Sequence, residues 1–216
     1  MSTFPGAPRL VKGALIGADL FNPLASVVVF QYNPESLSRR LEPRAAGGDG
    51  ERGEAYRLTG APKETITVSV ELDATDQLER AHPVAVAAGL GPTLSSLELL
   101  LYPKSARVIA NSIMSALGIV EVLPTEGPLT LFVWGPTRVL PVRLTSLSIT
   151  EEAHDPQLNP TRAKAELSLQ VLSYNDLQLA SPTHALFLVH QITKELLATR
   201  SLFDNAANPA AGLKLW

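Results

Sequence analysis

The chain has 216 residues, of which 45% are hydrophobic and 18% are charged, and its formal net charge is −3. This length supports one sizeable domain, or one domain with appendages. The charged fraction is below the usual quarter of a globular protein, which favours either a surface that a partner covers or a large buried core. The weak negative charge excludes the basic field that nucleic-acid binding requires.

The chain contains no cysteine, which excludes disulfides, thiolate metal sites and cysteine nucleophiles. Its first residues show no basic segment followed by an apolar one, as a secretory signal would. No apolar run approaches the roughly 20 residues that cross a bilayer. We therefore expect a soluble protein that is made and kept in the cytoplasm, without membrane insertion and without a nucleic-acid partner.

The predicted strands are short apolar runs or segments in which apolar and polar residues alternate. The clearest one covers residues 64–72, where every second residue is apolar. Gly135-Pro136-Thr137 predicts a hairpin turn between two neighbouring strands. In chain order, the other predicted strands are residues 10–18, 26–31, 36–42, 128–133, 138–143 and 163–171.

Helices are predicted at residues 74–88 and 92–101, and the second opens with Pro92 at an early helical position. Residues 105–117 are either a further helix or an inserted loop that covers the domain. A last helix covers residues 183–203. Its predicted apolar side consists of Leu186, Val189, Leu196 and Leu197.

These elements predict a mainly β, α+β fold: an antiparallel barrel or sandwich with two or three helices, one of them C-terminal. Residues 1–180 are expected to form the β domain, with a helical insertion near residues 75–118. Residues 181–216 are expected to form the C-terminal helix and tail. The Gly-rich segment 43–54 cannot bury enough apolar area to offset its backbone entropy, so it is either mobile or ordered only against a neighbour.

The sequence carries none of the common catalytic or cofactor-binding motifs. His184 and His190 lie about 120° apart around the predicted helix, so they cannot chelate one metal ion. Glu151 and Glu152 point to opposite faces of a strand and do not converge on one bond. Asp73 or Asp76 is better explained as a helix N-cap than as an acid or base. We expect no enzymatic activity, no metal and no cofactor.

Two further segments have both a structural and a functional interpretation. Gly89-Leu90-Gly91 is part of a dinucleotide-binding turn, but a simple helix break explains it better. Trp134 is either a ligand platform or an aromatic side chain that closes a hairpin over the core, and the second arrangement is the commoner one.

Two Asn-Pro pairs, Asn33-Pro34 and Asn159-Pro160, stand beside predicted strands. In each pair the Asn amide is expected to hold a turn, and Pro fixes φ so that the chain swings into the next extended run. Such corners either place strands near subunit contacts or serve the interior of the barrel alone.

The segment Phe30-Gln31-Tyr32-Asn33-Pro34-Glu35-Ser36-Leu37-Ser38-Arg39 resembles the opening signature of the contractile injection system tube-protein family. This family includes the tube-initiator and baseplate-adaptor proteins of phage-tail-like particles. The resemblance returns at residues 96–103 and is strongest from Trp134 through Asn159-Pro160 to Leu177. It covers about residues 10–177.

The resemblance implies a phage-tail-tube-like β-barrel that assembles into a six-fold ring inside an injection particle. The implied partners are other copies of the chain, the inner-tube protein, the spike or hub protein and further baseplate components. Many members carry a LysM module after this domain, and we expect none here. Two alternatives stay open: the main inner-tube subunit, and a β-barrel of a different class that binds a small ligand.

We identify ten residues as candidates for assembly contacts. They belong to the two Asn-Pro corners, the predicted strand 36–42 and the Gly-rich segment: Tyr32, Asn33, Pro34, Arg39, Gly47, Gly48, Leu158, Asn159, Pro160 and Arg162.

Overall fold

The computed structural model describes residues 11–18, 26–45, 57–103, 105–118, 129–179 and 181–206. These residues form seven strands and five helices. The strands are β1 (Ala14–Ala18), β2 (Ser26–Val29), β3 (Leu37–Ala45), β4 (Leu58–Asp73), β5 (Leu129–Val133), β6 (Val139–His154) and β7 (Pro160–Val171). The helices are α1 (Thr75–Glu79), α2 (Pro83–Ala88), α3 (Gly91–Glu98), α4 (Ser105–Ala116) and α5 (Pro182–Ala206).

All seven strands belong to one antiparallel sheet, in the order β2-β1-β5-β6-β7-β4-β3. This confirms the predicted mainly β, α+β class with a C-terminal helix. The alternation predicted for residues 64–72 also holds, since Ile66, Val68, Val70 and Leu72 are all buried. The sheet therefore has one apolar face and one largely polar face.

The sheet is curled into an incompletely closed barrel. Gln31, directly after β2, accepts the backbone N–H of Asp73 at the end of β4, with 3.0 Å between Oε1 and N. β2 and β4 are first and sixth in the sheet order, so in a flat sheet they would lie about 24 Å apart. The hydrogen bond is possible only because the sheet bends round on itself at this end.

One hydrophobic cluster fills the concave side of the sheet. Phe30 and Phe132 are its largest fully buried side chains, and Trp134 packs against the cluster. The Phe132 and Trp134 rings are stacked with centroids 5.7 Å apart, and the Trp134 N–H closes the hairpin onto the Arg138 carbonyl at 2.8 Å. Trp134 is thus the aromatic side chain over the core, as the commoner interpretation held.

Five helices are described where two or three were predicted, because one predicted segment is split and the undecided segment 105–117 is helical. The helix expected at residues 74–88 breaks after α1, where Ala81 has a φ of +49° and His82 is extended before Pro83. Proline disfavours a helical residue before it, so α2 has to start afresh. Residues 105–117, for which a helix and a loop were both open, contain the helix α4.

Helices pack against the open parts of the barrel. Leu94 and Leu97 of α3 belong to the core cluster, and α3 packs on β2. α5 packs on β6, and Phe187 is its buried apolar side chain, with the Tyr174 ring edge-on at 5.8 Å. Among the helices described, none has the length and apolar character that a bilayer crossing demands.

The predicted apolar side of α5 is wrong as a description of its packed face. Val189, Leu196 and Leu197 are all more than half exposed, whereas Phe187 and His190 are the buried residues of the helix. Apolar residues occur around much of this helix, so the pattern alone could not select the side that meets the sheet.

His190 is a buried imidazole at the interface between α5 and the sheet. It is 7% exposed, and neither ring nitrogen has a hydrogen-bond partner among the described residues. Burial, helped by the positive charge of Lys194, lowers the pKa of His190 from 6.5 to about 4. The neutral ring is therefore the form that the fold accepts.

Replacing His190 with leucine should make the stability of the protein less dependent on pH. Between pH 6.5 and about 4 the unfolded chain binds a proton that the folded chain refuses, so the parent should lose up to about 3 kcal/mol as the pH falls through this window. The H190L variant should lack this loss. Urea unfolding at a series of pH values measures it, and equal losses in parent and variant would show that His190 is not the responsible group.

Candidate functional site

The first Asn-Pro corner is held by the Asn33 side chain. Its Nδ2 donates to the Val11 carbonyl at 2.8 Å, and its Oδ1 accepts the Gly13 N–H at 3.0 Å. Lys12 adds a hydrogen bond from Nζ to the Gln31 carbonyl at 3.0 Å. The amide thus continues the pairing of β1 and β2 beyond the ends of both strands.

The second corner is organised by Asp155. Its Oδ1 accepts the backbone N–H groups of Gln157 and Asn159, both at 2.8 Å, and its Oδ2 accepts the Asn159 Nδ2 at 2.8 Å. Led by the Asn159 side chain, these hydrogen bonds lower the pKa of Asp155. Leu158 adopts a φ of +66° at the tip and is 78% exposed. Asn159 therefore holds the turn as predicted, but through an aspartate that the sequence analysis did not connect with it.

The second corner also forms hydrogen bonds with the segment that contains α1, α2 and α3. The Pro160 carbonyl accepts the Leu90 N–H at 2.7 Å, and the Thr161 carbonyl accepts the Ala74 N–H at 2.9 Å. Gly89 has a φ of +53°, and a Cβ on it would lie 2.3 Å from the Pro160 oxygen. The Gly89-Leu90-Gly91 segment is a helix break, as the simpler interpretation held, and it also allows this close approach.

A shallow cavity of about 400 Å³ joins the two corners. Tyr32, beside the first corner, and Arg162, beside the second, both line it. Asp73, at the end of β4, is a third lining residue. Arg162 donates to Asp73 Oδ2 from Nε at 3.2 Å and from Nη2 at 3.1 Å. The carboxylates of Glu71 and Glu152 also line the cavity, so it presents an aromatic ring within a mostly acidic rim.

The N-cap of α1 is Ala74 and neither Asp73 nor Asp76, which corrects the predicted cap; Asp73 lies one residue before it and binds the first turn. It accepts the Thr75 N–H at 2.8 Å and the Thr75 hydroxyl. These two hydrogen bonds, with a smaller contribution from Arg162, lower the pKa of Asp73. The carboxylate is therefore engaged on both oxygens and is not a free acid or base.

Arg39 belongs to a separate cluster near α5. Glu64, whose side chain is 4% exposed, pairs with Arg39 at 2.7 Å and with Lys194 at 3.2 Å. Burial alone would raise the pKa of Glu64, but the hydrogen bond from Arg39 and the charge of Lys194 lower it below the ordinary value. Glu64 lies nine residues before Asp73 on β4, about 30 Å along an extended strand, so this cluster is separate from the corner cavity.

The remaining candidates are distributed as follows. Asn33, Pro34, Asn159 and Pro160 are half-buried, while Tyr32 and Arg162 are exposed. Gly47 and Gly48 lie outside the described residues. The structure thus gives both corners an internal role and brings Tyr32 and Arg162 together. A role of any of these residues in assembly stays a prediction.

In the described residues, no group of three or more His, Cys, Asp or Glu side chains could hold a metal ion. The sequence analysis did not connect Asp155 with the second corner, although its partners Gln157 and Asn159 lie two and four residues further on and Asp commonly binds its own backbone in turns. It also missed Gln31, whose partner Asp73 is 42 residues away and is brought to it only by the fold.

No family model and no curated protein matches the chain. Among solved structures, a chain of "Tail of empty GTA particle computed with helical refinement, C6 symmetry" aligns with a TM-score of 0.30 and 14% identity, over 74% of this chain and 90% of its own. A chain of "Virion of native gene transfer agent (GTA) particle" aligns with a TM-score of 0.27 and 14% identity, again over 74% and 90%. Superpositions this loose do not carry the functional argument.

Replacing Gly89 with alanine should destabilise the protein by more than 2 kcal/mol, roughly the upper part of the range for strained backbone positions. The matched control is Gly135→Ala, which also has a positive φ, +80°, but has no atom near the new Cβ. It should lose only about 1 kcal/mol. Denaturant unfolding measures both, and equal losses would show that the contact with Pro160 gives no added constraint.

Replacing Glu64 with glutamine should cost about 2 kcal/mol, since it leaves two cations beside a buried site without their anion. The control is Glu42→Gln, whose exposed pair with Arg40 should contribute less than about 0.5 kcal/mol. Because the folded pKa of Glu64 is lowered, its contribution is complete above pH 4.5 and is lost as the pH falls through the folded value. Unfolding curves at pH 7 and at low pH measure this, and a variant as stable as the control would contradict it.

Proposed function

We propose that the protein is a structural, non-enzymatic subunit of a contractile injection system, a phage-tail-like particle. Copies form a six-fold ring that joins the spike hub and baseplate to the inner tube and initiates tube assembly. The sequence resemblance described above supports this role. The structural observation that carries it is the open sheet, whose two end strands, β2 and β3, each pair with a single strand among the described residues.

The β2 edge is an unguarded one. Its sequence, Ser26–Val29, contains no charged residue, and Val27 and Val29 are 41% and 52% exposed. β2 pairs with β1 alone among the described strands. Natural proteins protect free edges with charges, proline or bulges, so an apolar edge without these devices favours pairing with another chain.

The opposite edge, β3, has a different character. It pairs with β4 alone in the described part of the chain, and it carries charged residues such as Arg40, whose side chain is 80% exposed. Because β3 carries the charges that protect an edge, β2 is the edge that favours pairing with a neighbour. A contact between β2 and a different surface of the next copy is head-to-tail, and it closes into a ring when the rotation between copies permits it. Each contact should bury on the order of 1,000 Å² or more to hold a permanent assembly.

The alternative of a small-ligand barrel has less support. The concave side of the sheet is occupied by Phe30, Phe132 and the other core side chains. The cavity between the corners is shallow and lined mainly by charged groups, whereas small-molecule sites are mostly apolar and enclosed. The main inner-tube subunit is the closer alternative, because it would use the same edges.

Electron microscopy of the purified protein, alone and with the inner-tube protein, should show rings or short tubes. Replacing both Val27 and Val29 with lysine should leave a folded monomer, because charges on an edge strand oppose pairing. The control replaces Val84 and Val86 of α2, which are 50% and 55% exposed, with lysine and should assemble like the parent. A parent that stays monomeric at every concentration, with or without the tube protein, would overturn the proposal.

Copy number then separates the two roles in a tail-like particle. An initiator ring is present once per particle and a tube subunit many times, so quantitative mass spectrometry of purified particles distinguishes them. We expect about one ring of this chain per particle.

A further inference from the structure

Helix α5 is held on the sheet mainly by three side chains. Phe187 and His190 are the buried residues among the described side chains of α5. Lys194 reaches the buried carboxylate of Glu64 on β4, with 3.2 Å between Nζ and Oε2. Spacings of three and four residues place these three side chains on one side of the helix. The attachment of α5 therefore depends largely on one aromatic ring, one imidazole and one ion pair.

His190 is the least satisfied of these three side chains. Both ring nitrogens are buried, and neither has a hydrogen-bond partner among the described residues. The charged groups that face the ring are Lys194 on its own helix, Glu64 on β4, Arg138 directly before β6 and Arg39 on β3. Three cations thus stand against one anion, and a proton on the ring would add a further positive charge. A buried charge without a partner of opposite sign is strongly unfavourable.

Glu64 is the anion that balances this cluster. Its Oε1 accepts a hydrogen bond from Arg39 Nε at 2.7 Å, and its Oε2 accepts one from Lys194 Nζ at 3.2 Å. A proton on Glu64 would remove the charge that both cations face, and Lys194 belongs to α5. Protonation of Glu64 and protonation of His190 therefore act in the same direction, against the attachment of the helix.

We propose that α5 is an acid-released helix, which detaches from the sheet as a unit when its interface is protonated, while the strands stay folded. Phe187 is the residue that α5 contributes to the described core cluster, so the strands and α3 retain the rest of that cluster. Local opening selects elements with few buried contacts. A helix without its packed face is marginal in water, so a detached α5 exposes its backbone amides to exchange. This inference concerns one chain and does not rest on the ring-forming role.

Both titrations place the release in the acid range. Burial, helped by the charge of Lys194, lowers the pKa of His190 from 6.5 to about 4. The attached helix thus refuses a proton that the detached one accepts, and its attachment weakens as the pH falls from 6.5 and is weakest below 4. The shift corresponds to a loss of roughly 300-fold in the equilibrium constant between attached and detached α5.

Glu64 adds to this loss. Burial alone would raise its pKa, but the hydrogen bond from Arg39 and the charge of Lys194 lower it below the ordinary value of 4.5. Its contribution is therefore complete above pH 4.5 and disappears as the pH falls through the folded value. The two groups weaken the same interface over adjoining ranges of pH.

Hydrogen–deuterium exchange of the full chain, read by mass spectrometry between pH 7 and pH 3.5, tests this release. Exchange rates are divided by the intrinsic rates of the unfolded chain at each pH, so the resulting protection factor reports local opening. We expect the protection of α5 to fall by roughly 100-fold or more, or to the level of the unfolded chain. The strands β4 and β7 should keep their protection.

Three substitutions on α5 assign the effect. His190→Leu keeps an apolar side chain at the interface without the titrating ring, so most of the acid loss should disappear. The matched control is His184→Leu, a half-buried histidine of the same helix, and it should lose protection as the parent does. Lys194→Met keeps His190 but removes the ion pair with Glu64. It should lower the protection of α5 at pH 7 by up to about fivefold and retain most of the pH dependence.

Several results would overturn the proposal. Loss of protection in α5 and in the strands at the same pH would show that acid unfolds the whole domain and releases no separate helix. An α5 that stays protected to pH 3.5, or that exchanges like an unfolded chain already at pH 7, would contradict it too. Equal acid losses in His190→Leu and His184→Leu would show that His190 is not the group that governs the attachment.

Discussion

The fold depends on the bending of its sheet, and the hydrogen bond from the Asp73 N–H to the Gln31 side chain shows that bend. A seven-stranded sheet with one apolar face must cover that face, and this chain does so mainly by bending the sheet around it. The bend depends on long strands with irregular pairing, since β6 shifts register after Leu144 and again after Glu151, and bulges of this kind increase local bending and twist. Helices α3 and α5 then cover what the bend leaves open.

The two Asn-Pro corners connect elements of this fold through hydrogen bonds. Asn33 ties the chain after β2 to the residues before β1, and the Pro160 carbonyl holds the helical segment through Leu90. Their polar side chains are occupied by structural hydrogen bonds, as is the carboxylate of Asp155. Side chains engaged in this way hold geometry and are not available as acids, bases or nucleophiles.

The described residues form one continuous hydrophobic core, but many apolar side chains remain exposed at the surface. The core cluster runs without interruption from Leu15 to Phe187, whereas the β2 edge and the faces of α4 and α5 leave apolar side chains in water. Scattered exposed apolar residues are normal, whereas ordered rows of them and an uncharged strand edge are typical of interaction surfaces. These surfaces differ from one another, which is the property that a head-to-tail assembly requires.

Local signals in the sequence predicted the strands and the C-terminal helix, because alternation, proline and glycine act over a few residues. They also located both Asn-Pro corners, whose signals are equally local. Only tertiary contacts could give Gln31 its partner Asp73, place Tyr32 and Arg162 on the same cavity, and select the buried side of α5. The physical reason is that these depend on contacts between residues far apart in the chain, and an apolar side chain at the surface of a helix carries no mark of whether its own sheet or a neighbouring molecule will cover it.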